Sequence, residues 1–130
     1  MGAKKRLKAE QRKEDKKNIS LAKLNNCPTS PRKMRLVADL VRGEDVFKAM
    51  VILQHTPKDA ARRMEKLLRS AISNWEAKNE GQRPEESDLI VKEVFVDSAR
   101  VLKRLRPAPQ GRAHRIRKRS NHVTIIIDNK

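Results

Sequence analysis

Residues 99–121 carry nine lysines and arginines and no acid, and they lie between two of the chain's most β-prone apolar segments. One flank, residues 89–96, contains Ile90, Val91, Val94, Phe95 and Val96; the other, residues 122–127, contains Val123, Thr124 and three isoleucines. Both compositions read as strands. Midway sits Pro107-Ala108-Pro109-Gln110-Gly111, a stretch that neither a helix nor a regular strand absorbs. A turn near Pro109 opposes Val96 to His122 and Val91 to Ile127, so apolar strand meets apolar strand at the open end. The pattern predicts one long hairpin. Its arms, residues 98–106 and 112–120, reach about 30 Å at ordinary strand rise. Side chains alternate between faces along a strand, which puts Arg104 and Arg106 on one face and Lys103 on the other. Neither face can pack on a protein core without burying unpaired charge, at a cost of several kcal/mol per group. In free solution the two arms repel each other. Surrounding phosphates make the arrangement favourable, with Leu102, Leu105, Ala108, Ala113 and Ile116 interleaved for close packing. Such a hairpin suits threading into folded RNA.

The rest of the chain is different. Of 130 residues with a formal net charge of +16, residues 18–98 hold fourteen cations against twelve acids. Residues 1–17 hold eight cations against three acids, lack a sustained apolar period, and read as a mobile or frayed basic tail. The expected organisation is therefore a tail, 1–17, and a single domain, 18–130, that includes the extended hairpin 98–121. A charge this large implies a polyanionic partner. No apolar stretch is long enough to span a bilayer. No apolar segment follows the basic start as in a secretory signal, and Glu10, Glu14 and Asp15 are out of place in an organellar transit peptide. The single cysteine, Cys27, rules out an internal disulfide framework and fits a reducing compartment, so the expected location is cytoplasmic.

Helical patterning fills the neutral part. After a first strand over residues 18–26, Ser30-Pro31 supplies an N-cap and a first helical residue, and Met34, Val37, Ala38 and Val41 follow at helical spacing up to Gly43. Asp45 opens a short second helix with Val46, Ala49, Met50 and Leu53 on one face. Thr56, with Asp59 as its reciprocal partner, is expected to cap a third helix. The stripe of that helix is Ala60, Met64, Leu67, Leu68, Ala71, Ile72 and Trp75. The fold class is α+β.

Signs of catalysis are missing. His55, His114 and His122 are isolated from any cysteine or carboxylate at ligand spacing, so no metal is expected. Cys27 has no evident base partner, and Glu85, Glu86 and Asp88 crowd a polar loop as a solvated acidic patch. No phosphate-cradling glycine motif occurs. Trp75 reads as core, Gly111 as a turn glycine. No cofactor is expected, and the chain does not read as an enzyme. With 2% aromatic residues and no tyrosine, it cannot stack single-stranded bases, so recognition must use phosphates, 2′-hydroxyls and shape.

Four blocks then point to a family. They are residues 30–43 (Ser-Pro-Arg-Lys-Met-Arg-Leu-Val-Ala-Asp-Leu-Val-Arg-Gly), residues 49–53, residues 67–74 (Leu-Leu-Arg-Ser-Ala-Ile-Ser-Asn), and a last one. That one runs Gly111-Arg112-Ala113, Arg115-Ile116, Lys118-Arg119-Ser120 and His122 to Ile127. In these the chain resembles the bacterial branch of the family of the twenty-second large-subunit ribosomal protein, over roughly residues 18–128. The resemblance implies three helices on a three-stranded antiparallel sheet, with a globular part on the subunit surface near the peptide exit. It implies a hairpin running between domains of the large-subunit ribosomal RNA, a role in early assembly, and a tip in the wall of the exit tunnel. Neighbouring large-subunit proteins and the nascent peptide are the further partners implied; a membrane is not. The expected rRNA-binding residues are Arg32, Lys33, Arg35 and Arg42 in the first block and Arg100, Lys103, Arg104, Arg106, Arg112, His114, Arg115, Arg117, Lys118 and Arg119 in the hairpin. The expected tunnel tip is Pro107, Ala108, Pro109, Gln110 and Gly111. The chain departs from the family in having Ala108-Pro109, where a basic and a small residue are usual, and in the basic segment before Asn18.

A competing reading is a free nucleic-acid-binding regulator, with the second and third helices as a helix-turn-helix. The cations lie on the hairpin and not on a recognition helix, which disfavours it.

Overall fold

The computed structural model describes residues 2–130; Met1, the first residue of the expected tail, lies outside them. Helix α1 (Gly2–Asn18) is followed by β1 (Ser20–Cys27), α2 (Pro31–Val41), α3 (Val46–His55) and α4 (Asp59–Lys78), then by the long strands β2 (Leu89–Pro107) and β3 (Ala113–Asn129). The three strands form an antiparallel sheet in the order β1-β3-β2. Helices α2, α3 and α4 cover it, the α+β arrangement expected, with α1 as a helix more.

Each covering helix buries the stripe its sequence advertises. Met34, Val37, Ala38 and Val41 of α2 are buried, as are Val46, Ala49 and Leu53 of α3 and Ala60, Met64, Leu67, Leu68 and Ala71 of α4, while Met50 and Ile72 pack against them half-buried. Trp75 lies in the core with them. The sheet answers with Val123, Ile125 and Ile127 at alternate positions of β3. At roughly 1.5–3 kcal/mol for each large side chain buried, this cluster is what offsets the chain entropy of folding.

Long polar side chains close the sheet's edges. On the β2 side, Arg35 donates to the Val96 carbonyl through Nε (3.3 Å) and a terminal nitrogen (3.2 Å), and Arg42 donates to the Val94 carbonyl (2.9 Å). Just below, the Gly43 amide donates to the Val91 carbonyl (2.8 Å) and the Val91 amide to that of Glu44 (2.9 Å). On the β1 side, Asn74 and Lys78 of α4 donate to the carbonyls of Leu21 and Ile19. Edges satisfied in this way do not recruit another strand.

Four details depart from the sequence expectation. Residues 2–18 form a helix, although they lack an apolar stripe. Thr56 does not cap α4: it closes α3, its hydroxyl donating back to the Ile52 carbonyl (2.6 Å), and lies two residues before the position that precedes α4. Helix α4 begins at Asp59, whose carboxylate accepts from Arg63 (3.1 Å). The strand register also shifts. Val91 faces Ile127 as expected, but Val96 faces Val123 and not His122, and Asp97 faces His122. A bulge between Val91 and Glu93 adds one residue to β2, and a second lies between Ser98 and Val101. The first explains why Leu89 and Val91, then Val94 and Val96, all reach the core despite the odd spacing between the pairs. Finally, Pro107 is the last paired residue of β2, opposite Ala113, where an outer edge tolerates a missing amide.

Candidate nucleic-acid interface

Beyond Asn121 the sheet narrows to two strands. Cys27 of β1 pairs with Asn121, the last contact between the first strand and β3, and further out β2 and β3 have only each other. Asn121 is wholly buried at this root and its side-chain amide donates to the carbonyl (2.6 Å) and hydroxyl (2.8 Å) of Thr29. It ties the ribbon to the segment entering α2, an anchor that its polar character hides in the sequence.

The ribbon's register decides how its charges meet. Val101 faces Arg119, Leu102 faces Lys118, Arg104 faces Ile116 and Leu105 faces Arg115. Only Lys103 and Arg117 set one cation directly against another. Without bulges, a turn centred on Pro109 would oppose Arg100 to Lys118, Lys103 to Arg115 and Arg106 to Arg112. Directly opposed like charges are destabilising by roughly 0.2–1 kcal/mol each, so the bulged register relieves repulsion in an isolated ribbon. Opposite partners share a face, so Lys103, Arg115, Arg117 and Arg119 lie on the face that continues the core side. Arg104, Arg106, His114 and Lys118 lie on the other. Apart from half-buried Ala99, Val101, Ile116 and Ser120, these two faces are exposed, Leu105 70% so. No carboxylate is within pairing distance of any hairpin cation among the described residues.

At the tip, Gln110 (φ 63°, ψ 33°) and Gly111 (φ 69°) both take left-handed backbone conformations. The Arg112 amide donates to the Pro109 carbonyl (3.5 Å) and the Ala108 amide to the Arg112 carbonyl (2.8 Å). Two left-handed central residues make a turn of the type that matches the twist of the strands it joins. Nothing lies within 4 Å of where a side chain on Gly111 would start, so backbone conformation, not space, calls for glycine there.

The first-block cations divide. Arg32 and Arg35 join Arg119 and Ser98 around a cleft of about 260 Å³ at the hairpin root. Lys33 lines a separate groove with Leu36 and Lys58. Arg35 and Arg42 spend hydrogen bonds on the β2 edge, and Arg42 also pairs with Asp39 (2.6 Å). Both therefore hold the fold together, whatever else they touch. Arg100, in the second bulge, and Arg112, beside the tip, are exposed.

Residues 22–128 match the profile of the family described as Ribosomal protein L22p/L17e. The chain belongs to this family. Similar proteins named Large ribosomal subunit protein uL22 occur in Christiangramia forsetii, 67% identical over 98% of this chain and 94% of the relative. Others are in Flavobacterium johnsoniae, 65% identical over 98% and 93%, and in Bacteroides fragilis (strain YCH46), 59% identical over 100% and 95%. As an L22p/L17e protein the chain is a structural constituent of the large ribosomal subunit, part of the ribosome in the cytoplasm, and rRNA binding is general to the family. Its partners are accordingly rRNA and other ribosomal proteins.

Proposed function

We propose that the two-stranded ribbon is the element threaded into folded large-subunit rRNA, and that its arms and tip divide the work. The observation that carries this reading is the exposure of cations on both faces of a ribbon that no part of the body covers. Arg100, Lys103, Arg104, Arg106, Arg112, Arg115, Arg117, Lys118 and Arg119 engage phosphates on several sides, with His114 among them. Arg32, Lys33, Arg35 and Arg42 extend the contact across the root, where Arg32, Arg35 and Arg119 converge. The domain is one unit from residue 18 onward, to which residues 1–17 are appended. The work is binding and positioning, without a catalytic step.

The tip, Pro107 to Gly111, fits a different task. It carries no cation of its own, and its prolines and tight turn leave little conformational entropy to lose. In keeping with the family resemblance, it lines the exit tunnel and meets the nascent peptide. Deleting Ala108-Pro109-Gln110 should leave subunit assembly nearly intact while changing the passage of arrest-prone nascent chains or the macrolide response. Deleting Ile116-Arg117-Lys118 should shift the register of the arm's cations and impair assembly. Gradient profiles beside drug sensitivity separate the two, and a tip deletion that blocks assembly as badly as the arm deletion sinks the division of labour.

A further inference from the structure

Helix α1 has no part in the fold just described. Residues 3–18 are exposed throughout, and the helix's only side-chain hydrogen bond among the described residues is internal, Arg6 to Glu10 (3.0 Å). It precedes the stretch matched to the family, residues 22–128, yet the alignment with the Bacteroides fragilis protein spans the whole chain. Its pattern becomes visible at about 100° of rotation per residue. Lys5, Arg12, Lys13 and Lys16 fall within about 60° of a line along the helix through Ala9. Arg6, Lys8 and Lys17 flank them. Half the circumference thus holds seven cations and no acid. The opposite half holds Glu10, Glu14 and Asp15 with Lys4 as its one cation, together with Leu7 and Gln11. The charge is sorted by face even though the apolar residues are not.

We infer that the cationic half of α1 is a second rRNA-docking surface, built on Lys5, Arg12, Lys13 and Lys16 and separate from the hairpin. A lone helix of this length is marginal in water, so one whose described side chains are all exposed gains its stability from a partner. That partner is not an apolar groove or a bilayer: the one large apolar side chain, Leu7, sits on the acidic half, and membrane-surface helices need several bulky anchors. Charge complementarity selects a row of phosphates. The family's established partner supplies one, and the acidic half faces away from it.

The test exchanges charge between the faces of the full-length protein. Arg12→Glu with Glu14→Arg leaves composition and net charge unchanged. The new acid stands four residues from Lys8 and from Lys16, and the new cation four from Glu10, so local helix support is kept. Binding to deproteinised large-subunit rRNA is then titrated against salt for both proteins. A salt slope shallower by about one unit, with weaker binding at each salt concentration, is the expected result. A second variant, Ala9→Pro, keeps every charge and interrupts the helix. It should weaken binding as well, because the cations no longer share a face. Parental affinity and slope in either variant overturns the proposal.

Discussion

Strands β2 and β3 run through both regions of this molecule and do opposite work in each. Below residue 97, Leu89, Val91, Val94 and Val96 are at most 9% exposed and face Val123, Ile125 and Ile127 in a core roofed by three helices. Above it, the same two strands show cations on both faces and nothing covers them. The backbone pairing is continuous across the boundary, so hydrogen bonding does not distinguish the regions. Burial does. The body holds itself together by removing apolar surface from water, whereas the ribbon has little such surface to remove. One pair of strands is thus half core and half exposed cationic ribbon, and the changeover falls where Asn121 reaches Thr29.

The sharpest way to break that comparison is electrostatic. Replacing Arg112, Arg115, Arg117 and Arg119 with glutamine should lower the salt slope of rRNA binding by about 3 units, at 0.7–0.9 per lost phosphate contact. The fold of the free body should be unaffected. Equal slopes for parent and variant would remove the arms from the interface.

Exchange of amide hydrogens in the isolated protein is the next test. Amides of Ile125 and Val94 should open only with the body, whereas those of Lys103 and Arg117 should exchange far sooner, since no packing protects the ribbon. Protection at Arg117 matching that at Ile125 would mean the ribbon is stable without RNA.

Truncation gives a smaller, thermodynamic contrast. Leu68→Ala, at a fully buried position, should cost about 2–5 kcal/mol in urea unfolding. Leu105→Ala, at a position 70% exposed, should change it by under about 0.5 kcal/mol. Comparable losses would show the ribbon to be part of the cooperative unit.

The smallest effect is the response to acid. Lys92 donates to Asp128 (2.6 Å) across the body strands, and that hydrogen bond, with a further one from the Asn129 amide, holds the Asp128 carboxyl below its ordinary value. A lowered folded pKa means the contribution is fully present above the usual carboxylate range and is lost as pH falls through the lower, folded value. Asp128→Asn should therefore flatten slightly the acid limb of stability against pH. Residues 99–121 contain no acid, so neutralising their arginines should leave that limb as it was.

The sequence by itself determined the two-part character of this protein, because that character is written in local periods. Apolar spacing of three and four placed Met34, Val37, Ala38 and Val41 against the core, and a run of nine cations without an acid fixed what residues 99–121 could not be. Helix α1 was not legible: apolar residues there have no period, so residues 1–17 read as a tail where the structure has a helix. What the tertiary structure alone decided are meetings between residues far apart in the chain. Arg35 and Arg42 resemble the hairpin's arginines in sequence, yet they reach carbonyls 61 and 52 residues away and close a sheet edge. The two bulges of β2 set which side chains oppose one another, leaving one directly facing pair of cations where an unbroken ladder would have made three. Local pattern is carried by neighbouring residues and survives in any window of sequence. Register and edge closure depend on how two distant segments approach, and only the packed body fixes that approach.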